Sequence, residues 1–314
     1  MKPLLVVNPM AGGGATGRTF ASMRETIERV LGPVDVAMTE RGGHGIELAR
    51  EGAIAGRSLV IAVGGDGTLH EVVNGLMQAR AGKNGSPGAE GTRIGLIGQG
   101  TGGDFRKTLG LEHRLDKYLE ALSSGRERAL DVGKFTGGGK TDHYFVNILS
   151  PGMGGLVDRY VADASRMLGG TAAYFGASLR ALVNARLGNV KATVTYEGKT
   201  EEHKIRSFMI AICNGRYFGS GMHVAPMAKV DDGVLELVAL GATSKLGFAM
   251  TSRGIYSGAH IGQAGTVHLR GERIVLDLAN EDARDVFLLD VDGEPMGGLP
   301  LTVEVVPQAL VLRA

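Results

Sequence analysis

The chain has 314 residues, of which 43% are hydrophobic, and a formal net charge of +1 at pH 7. That length allows one large or two medium domains with real cores, and so near-neutral a balance argues against wholesale nucleic-acid binding, which needs a strongly basic domain. A single cysteine, Cys213, excludes an intrachain disulfide and fits a reducing compartment. No uncharged apolar stretch approaches the ~20 residues of a membrane-crossing helix, and the apolar run in MKPLLVVNPM is too short for a signal peptide. These features point to a cytoplasmic protein.

Strand-like runs at LLVVN (4–8), VDVAM (34–38), LVIAV (59–63) and RIGLIG (93–98) alternate with helical patterns near 18–31, 44–55 and 68–80. Segment 81–92, AGKNGSPGAEGT, reads as a turn-rich loop. The alternation predicts βαβ units, a mostly parallel sheet and right-handed crossovers. After about residue 130 the pattern changes. HYFVNIL (143–149), VKATVTY (190–196), HKIRSFMIAICN (203–214), VLELVAL (234–240), GTVHLR (265–270), RIVLDLA (273–279), DVFLLDVDGE (285–294) and LTVEVVP (301–307) read as strands of an antiparallel sandwich or distorted barrel. Helical stretches near 153–186 and 243–257 interrupt them. TGGGKTD, within 130–142, reads as a linker. The expected fold class is an α/β N-terminal domain, 1–133, followed by a mainly antiparallel β domain, 134–300. Whether the strand near 301–314 returns to the first domain is left open.

Glycine is the compositional outlier, with 51 residues in 314, roughly double the usual ~7%. Its clusters near 12, 64 and 98 all follow predicted strands, so they should meet at one edge of the sheet, where open α/β folds bind ligands. GGGATGRT (12–19) fits two motifs imperfectly. Gly12, Gly14 and Gly17 make a dinucleotide fingerprint whose acid would be Asp35, although the end of the second strand lies closer to Thr39-Glu40. The same loop is a P-loop with Arg18 in the lysine position, and arginine is not the equivalent of that point charge. GGGKT (137–141) lacks the upstream glycine and reads as a loop. GGDGTLHEVVNG (64–75) places a strand, a glycine turn and a helix start in succession, which suits phosphate. Asp66 beside phosphates requires an intervening cation and suggests Mg²⁺-nucleotide; the plainer alternative is a helix cap. In GQGTGGDFRKTLG (98–110), Thr101 and the following N–H groups can meet phosphate or ribose, and Asp104 caps or begins a helix.

In order along the chain, NPMAGGG, TERGGHGIELAR (39–50), GGDGTLHEVVNG, GQGTGGDF, CNGRYFGSGMHVAPMAKVDDGVLEL (213–237) and DVDGEPMG (290–297) resemble the diacylglycerol-kinase catalytic family, which includes bacterial lipid kinases and sphingosine kinases. The resemblance implies a nucleotide-binding α/β domain of the NAD kinase and diacylglycerol kinase type, ATP with Mg²⁺, and a β domain that shapes the lipid site. It assigns Asn8 and Thr39 to the nucleotide, the turn Gly64, Gly65, Asp66, Gly67, Thr68, Leu69, His70 and Glu71 to its phosphates, and Gly100, Thr101, Gly102 and Asp104 to the nucleotide site. The DGE motif offers Asp292 and Glu294 as catalytic carboxylates. PMAKVDDG implies a Mg²⁺ held by the Asp232 side chain with carbonyls of Lys229 and Val234. The family's usual PLGTGNDFAR is here GQGTGGDFRK, with Gly103 in place of asparagine.

Phosphoryl transfer to an alcohol needs charge neutralisation and a carboxylate that takes the hydroxyl proton. Asp290, Asp292 and Glu294 lie within five residues, and spacing does not separate Asp292 from Glu294; an ordinary Asp-Gly hairpin turn is the competing reading. The expected activity is transfer of the ATP γ-phosphoryl group to a diacylglycerol-like lipid. Sphingoid or other lipids, NAD, and a catalytically silent nucleotide-binding regulator are the alternatives. The expected partner is a lipid at the inner face of the membrane, reached by peripheral contact; nothing in the chain argues against a homodimer. Segment 153–186 mixes Met153, Leu156, Met167, Tyr174 and Phe175 with Arg159, Arg166, Arg180 and Arg186. Basic amphipathic helices of this kind bind anionic surfaces, but two surface helices burying one face are the preferred reading.

Overall fold

The computed structural model describes residues 1–81, 87–100, 102–163, 170–241 and 244–314. They form two units, Met1–Val132 with Pro307–Ala314, and Gly133–Val306.

In the first unit, β1 (Leu4–Val7), β2 (Asp35–Met38), β3 (Leu59–Gly64) and β4 (Arg93–Gly98) are parallel and lie in the order β2-β1-β3-β4. Residues of β1 and β3 are buried throughout, as both faces of a parallel sheet must be when helices cover them. α1 (Ala15–Leu31) buries Thr16, Phe20, Met23 and Ile27, a stripe at helical spacing. It shares a core with Tyr118, Leu119 and Leu122 of α6 (Leu115–Ser123) and with the inner residues of β1 and β3. α2 (His44–Ile54) and α3 (Asp66–Ala81) follow β2 and β3. Under right-handed crossovers, the change of direction after β2 sends α2 to the face opposite α1. The two chain directions diverge between β1 and β3, the topological switch point at which such sheets bind ligands. Short helices α4 (Pro87–Glu90) and α5 (Asp104–Thr108) complete the connections. The final strand, β16 (Leu301–Arg313), enters this unit and pairs parallel with β4.

In the second unit, β5 (Glu127–Gly137), which begins in the first unit, pairs with β6 (Lys140–Phe145) as a hairpin. β7 (Ile148–Gly152) leads into α7 (Met153–Asp163) and α8 (Gly170–Asn184). β8 (Gly188–Tyr196), β9 (Lys199–Ser207), β10 (Met209–Cys213) and β11 (Leu235–Leu240) precede α9 (Lys245–Ser252). β12 (Thr266–Gly271), β13 (Arg273–Leu278), β14 (Leu288–Val291) and β15 (Glu294–Gly298) follow. One antiparallel sheet runs β12-β11-β10-β7-β14-β15, and the start of β16 joins a second through β13, β8 and β9. Ile210, Ile212 and Leu237 from one sheet and Val190, Ile274 and Leu276 from the other share a single core. The expected fold class therefore holds, an α/β unit followed by a mainly antiparallel β unit.

Three element readings are corrected. HKIRSFMIAICN is not one strand: β9 and β10 belong to different sheets and the chain turns at Phe208. The Ser207 hydroxyl holds that corner, accepting the Met209 N–H at 3.1 Å and lying 2.7 Å from the Leu240 carbonyl. HYFVNIL likewise divides between β6 and β7, at Val146-Asn147. TGGGKTD is the turn and flank of the β5–β6 hairpin rather than a linker. Continuous β propensity concealed the first two breaks, one held by the Ser207 hydroxyl and the other by a carboxylate distant in sequence, Asp292.

Candidate functional site

The three glycine loops converge at the strand ends of the first unit. Gln99 N–H donates to the Gly64 carbonyl at 2.7 Å, extending β4 alongside β3 into their loops. A Cβ at Gly100 would lie 2.7 Å from Gly65 Cα, so only glycine permits this approach. A Cβ at Gly12 would lie 2.8 Å from the Gln99 carbonyl, which brings the first loop onto the third. Asn8 continues β1, its N–H donating to Val63 O at 3.0 Å while its Oδ1 accepts the Met10 N–H at 2.9 Å. The result is a glycine-lined edge at which α3 and α5 both begin, and helix starts present backbone N–H donors and a favourable dipole to anions.

The acids of these loops are used differently from expectation. Asp66 opens α3, yet its carboxylate is directed at α5. Oδ2 accepts the Asp104 N–H at 2.9 Å and Oδ1 the Phe105 N–H at 3.4 Å. Asp66 thus caps a helix 38 residues on. Asp104 is buried and accepts from Lys107 Nζ at 2.7 Å. Glu71 accepts N–H groups from Gly43 at 2.7 Å and Gly45 at 2.8 Å, tying the TERGGHG loop to α3. Thr39 leaves β2 with its N–H on Val7 O at 2.8 Å and is nearly buried. Gly67 and Thr68 lie in the first turn of α3, and the Thr68 hydroxyl packs where a Gly64 side chain would stand. Leu69 and His70 are also buried, and His70 Nε2 lies 3.3 Å from Asn74 Nδ2. Gly102 precedes α5, and Thr101 lies outside the described residues.

Gly103, the departure from the family pattern, has φ +55° at the start of α5. Asparagine and glycine are the residues that enter this left-handed region most readily. The exchange therefore keeps the backbone and loses only the amide.

The DGE segment is a two-residue hairpin turn. Asp292 and Gly293 have φ +53° and +91°, and Val291 pairs with Glu294 across β14–β15. This is the left-handed turn that Asp-Gly favours, and Gly293 N–H donates to Asp290 Oδ1 at 2.8 Å. The turn is nevertheless not a solvated one at its first residue, because Asp292 is only 6% exposed. Its Oδ2 accepts the Val146 N–H at 2.9 Å, and its Oδ1 accepts those of Asn147 at 2.9 Å and Ile148 at 3.0 Å. This capture is what breaks HYFVNIL into two strands. Asn214 Nδ2 donates to Val146 O at 2.7 Å and Asn147 Nδ2 to Tyr217 O at 2.9 Å, bracing the same corner. Glu294 is exposed. Asn147 and Asn214 are positions the sequence reading passed over. The available signal was an asparagine within a β-branched run, where it is normally depleted.

The expected Mg²⁺ position fits poorly. Asp232 Oδ2 lies 3.2 Å from Arg270 Nη2, so a guanidinium already supplies the charge a cation would bring. Asp232 Oδ1 is turned to the Val234 N–H at 3.3 Å, and Lys229 is exposed. Arg270 also reaches Glu236 Oε1 at 3.2 Å, and its ring-face contact with Tyr196 fixes the guanidinium plane. Among the described residues no group of three or more His, Cys, Asp or Glu is arranged to hold a metal.

A parallel α/β unit with three converging glycine loops, joined in sequence to a two-sheet β unit, is the architecture of NAD kinase- and diacylglycerol kinase-like enzymes. The Diacylglycerol kinase catalytic domain family matches residues 2–135, and the YegS C-terminal NAD kinase beta sandwich-like domain family matches residues 147–314. The chain belongs to this family of lipid kinases. A relative from Chromohalobacter salexigens, named probable lipid kinase YegS-like, is 35% identical over 228 residues, which cover 69% of this chain and 65% of that protein. The Bacillus subtilis diacylglycerol kinase is 26% identical over 297 residues, 94% of this chain and 90% of that one. A crystal structure of a diacylglycerol kinase from Bacillus anthracis has the same fold, with a TM-score of 0.70 at 21% identity over 99% of this chain and 96% of that one.

Proposed function

We propose that the protein transfers the γ-phosphoryl group of ATP to a hydroxyl of a diacylglycerol-like lipid held at a membrane surface. The observation that carries the nucleotide half is the loop edge of the first unit, where Asp66 fastens the start of α5 beside the start of α3. The glycine-lined loops there let backbone approach a polyphosphate at the start of α3, while Asp66 occupies the first N–H groups of α5 and calls for the cation that accompanies the nucleotide. The acceptor half rests on membership of the lipid kinase family.

In the proposed reaction the lipid hydroxyl oxygen bonds to the γ-phosphorus as the bond to the β–γ bridging oxygen breaks, and ADP leaves. Glu294 takes the hydroxyl proton. It is preferred over Asp292 because the Asp292 oxygens are committed to three backbone N–H groups, whereas Glu294 is exposed at the start of β15. Asp292 is then the residue that shapes the turn presenting Glu294. Mg²⁺ entering with the nucleotide would neutralise phosphate charge, the usual service of the ion in such transfers. No step is assigned to a metal at Asp232.

The test is transfer of label from γ-labelled ATP with Mg²⁺ to micellar diacylglycerol, monoacylglycerol, sphingosine, ceramide and phosphatidylglycerol, with NAD as a soluble control. Labelled diacylglycerol is expected. Label in another lipid replaces the acceptor, label in NAD alone overturns the lipid reading, and ATP binding without label in any acceptor favours a silent regulator.

A further inference from the structure

Helix α8 carries apolar residues on two opposite sides. Ala177 and Ala181 are buried against α7, and Ala185, just past its end, joins the core beneath. On the far side, Leu179 and Val183 stand one turn apart at 56% and 64% exposed. α9 repeats the arrangement. Phe248 is buried edge-on to Phe208, with ring centroids 5.5 Å apart, while Leu246 and Met250, two residues to either side of it, are 73% and 65% exposed. A surface helix normally buries its apolar stripe and wets the rest. Here two neighbouring helices each present a second stripe to solvent. Lys245 Nζ donates to the Val183 carbonyl, so the end of α8 adjoins the start of α9.

A cavity of about 560 Å³ opens at this junction, lined by Arg186, Arg206, Lys245, Asn189 and Asn280 with one acid, Asp282. Arg206 and Asn189 are cross-strand partners in β8–β9. Arg186 donates to Asp282 O and lies 3.4 Å from the exposed Asp285. Three cations face two carboxylates, Asp282 in the wall and Asp285 on Arg186, above the apolar Ala185, Leu187 and Phe208, which leaves a net positive mouth able to receive a phosphate ester. Exposed aliphatic side chains beside such a pocket are the combination by which a peripheral surface holds an anionic bilayer: the apolar residues enter the acyl boundary and the cations meet headgroups.

We propose that the α8–α9 face is a docking surface for an anionic phospholipid bilayer, with Leu179, Val183, Leu246 and Met250 inserted and a lipid phosphate over Arg186, Arg206 and Lys245. The proposal deepens the lipid-kinase reading, on which its purpose rests, while its test needs no phosphoryl transfer.

The full chain is sedimented with phosphatidylcholine vesicles and with vesicles in which a third of the lipid is phosphatidylglycerol. Wild-type protein is expected to bind the anionic vesicles about tenfold more tightly, with the preference shrinking as salt is raised. The exposed-site variants Leu246→Asp with Met250→Asp, and separately Arg206→Glu with Lys245→Glu, are expected each to lose at least about tenfold, and Ile54→Asp on the other unit to lose nothing. Circular dichroism confirms that each variant is folded; should a pair fail to fold, Leu179→Ser with Val183→Ser replaces it. Equal binding to both vesicle types, or variants that bind like wild type, overturns the proposal. So does a wild-type dimer that the variants convert to monomer, which makes the face an interface between copies. Vesicle binding lost in the variants while no lipid is ever phosphorylated leaves the docking surface standing and removes the kinase reading.

Discussion

Asp292 Oδ1 accepts the backbone N–H of Asn147 at 2.9 Å, joining a hairpin turn to a strand break 145 residues earlier. The same carboxylate holds the N–H groups of Val146 and Ile148. An amide in its place would turn one N–H₂ toward N–H donors. Asp292→Asn is therefore expected to cost about 3 kcal/mol of stability, because a buried acceptor set is broken. Glu294→Gln leaves that acceptor set intact. It should leave the denaturation midpoint unchanged while lowering turnover by about a hundredfold or more. Thermal denaturation beside steady-state kinetics separates the two; full turnover in Glu294→Gln would move the proton acceptor elsewhere.

Asp66 is predicted to act on nucleotide affinity through geometry. Asp66→Ala releases the Asp104 and Phe105 N–H groups and lets the start of α5 drift from that of α3. We expect the KM for ATP to rise about tenfold, with the loss of a cap costing about 1 kcal/mol of stability. Isothermal titration with a non-hydrolysable ATP analogue is the direct check, and an unchanged affinity would leave Asp66 a purely structural cap.

Gly103→Asn should be tolerated, since asparagine enters the left-handed region at little cost. A Cβ there would approach Arg106 Nε at 2.8 Å, so the Arg106 side chain must swing aside. Gly103→Val, β-branched at φ +55°, should cost about 2 kcal/mol or more. Urea denaturation of the two variants reads the difference.

Acid should destabilise the fold through its histidines. Burial lowers the pKa of His260, which is fully buried with Nε2 2.8 Å from Val224 O. Burial, with Arg216 and His260 nearby, also lowers that of His223. Both are therefore neutral in the folded state more readily than in the unfolded chain, where the pKa is about 6.5. Their contribution is complete above that value and is lost as pH falls below it toward the lowered folded values, because the unfolded chain then binds more protons. Urea midpoints should fall from about pH 7.5 to about pH 5, and His260→Gln should flatten part of that fall.

Cys213 should be inert. Burial first, and Glu236 second, push its thiol pKa well above the ordinary value, and only the thiolate reacts. A thiol reagent should label it only as fast as the protein unfolds; rapid labelling of native protein would contradict its burial.

No helix of the described residues is long and apolar enough to cross a membrane. α8 shows how an exposed apolar face escapes a linear reading. Sequence 153–186 suggests an amphipathic face in general terms, but which apolar residues are buried depends on what α7 and β10 place beneath them. Arg166, Met167 and the side chains of Tyr174 and Phe175, part of that reading, lie outside the described residues.

What the sequence determined by itself was local. Strand–turn–helix order, the glycine loops and the Asp-Gly hairpin are legible because each follows from short-range periodicity or from a φ that few residues adopt. What only the tertiary structure decided was the employment of the carboxylates. Asp66 caps a helix 38 residues away, Glu71 holds Gly43 and Gly45, Asp292 breaks a strand at Asn147, and Asp232 pairs with Arg270. A carboxylate looks the same in sequence whether it waits for a proton, a cation or a backbone N–H. Its role is set by whichever donors folding brings within about 3 Å, and those donors come from parts of the chain that spacing cannot relate.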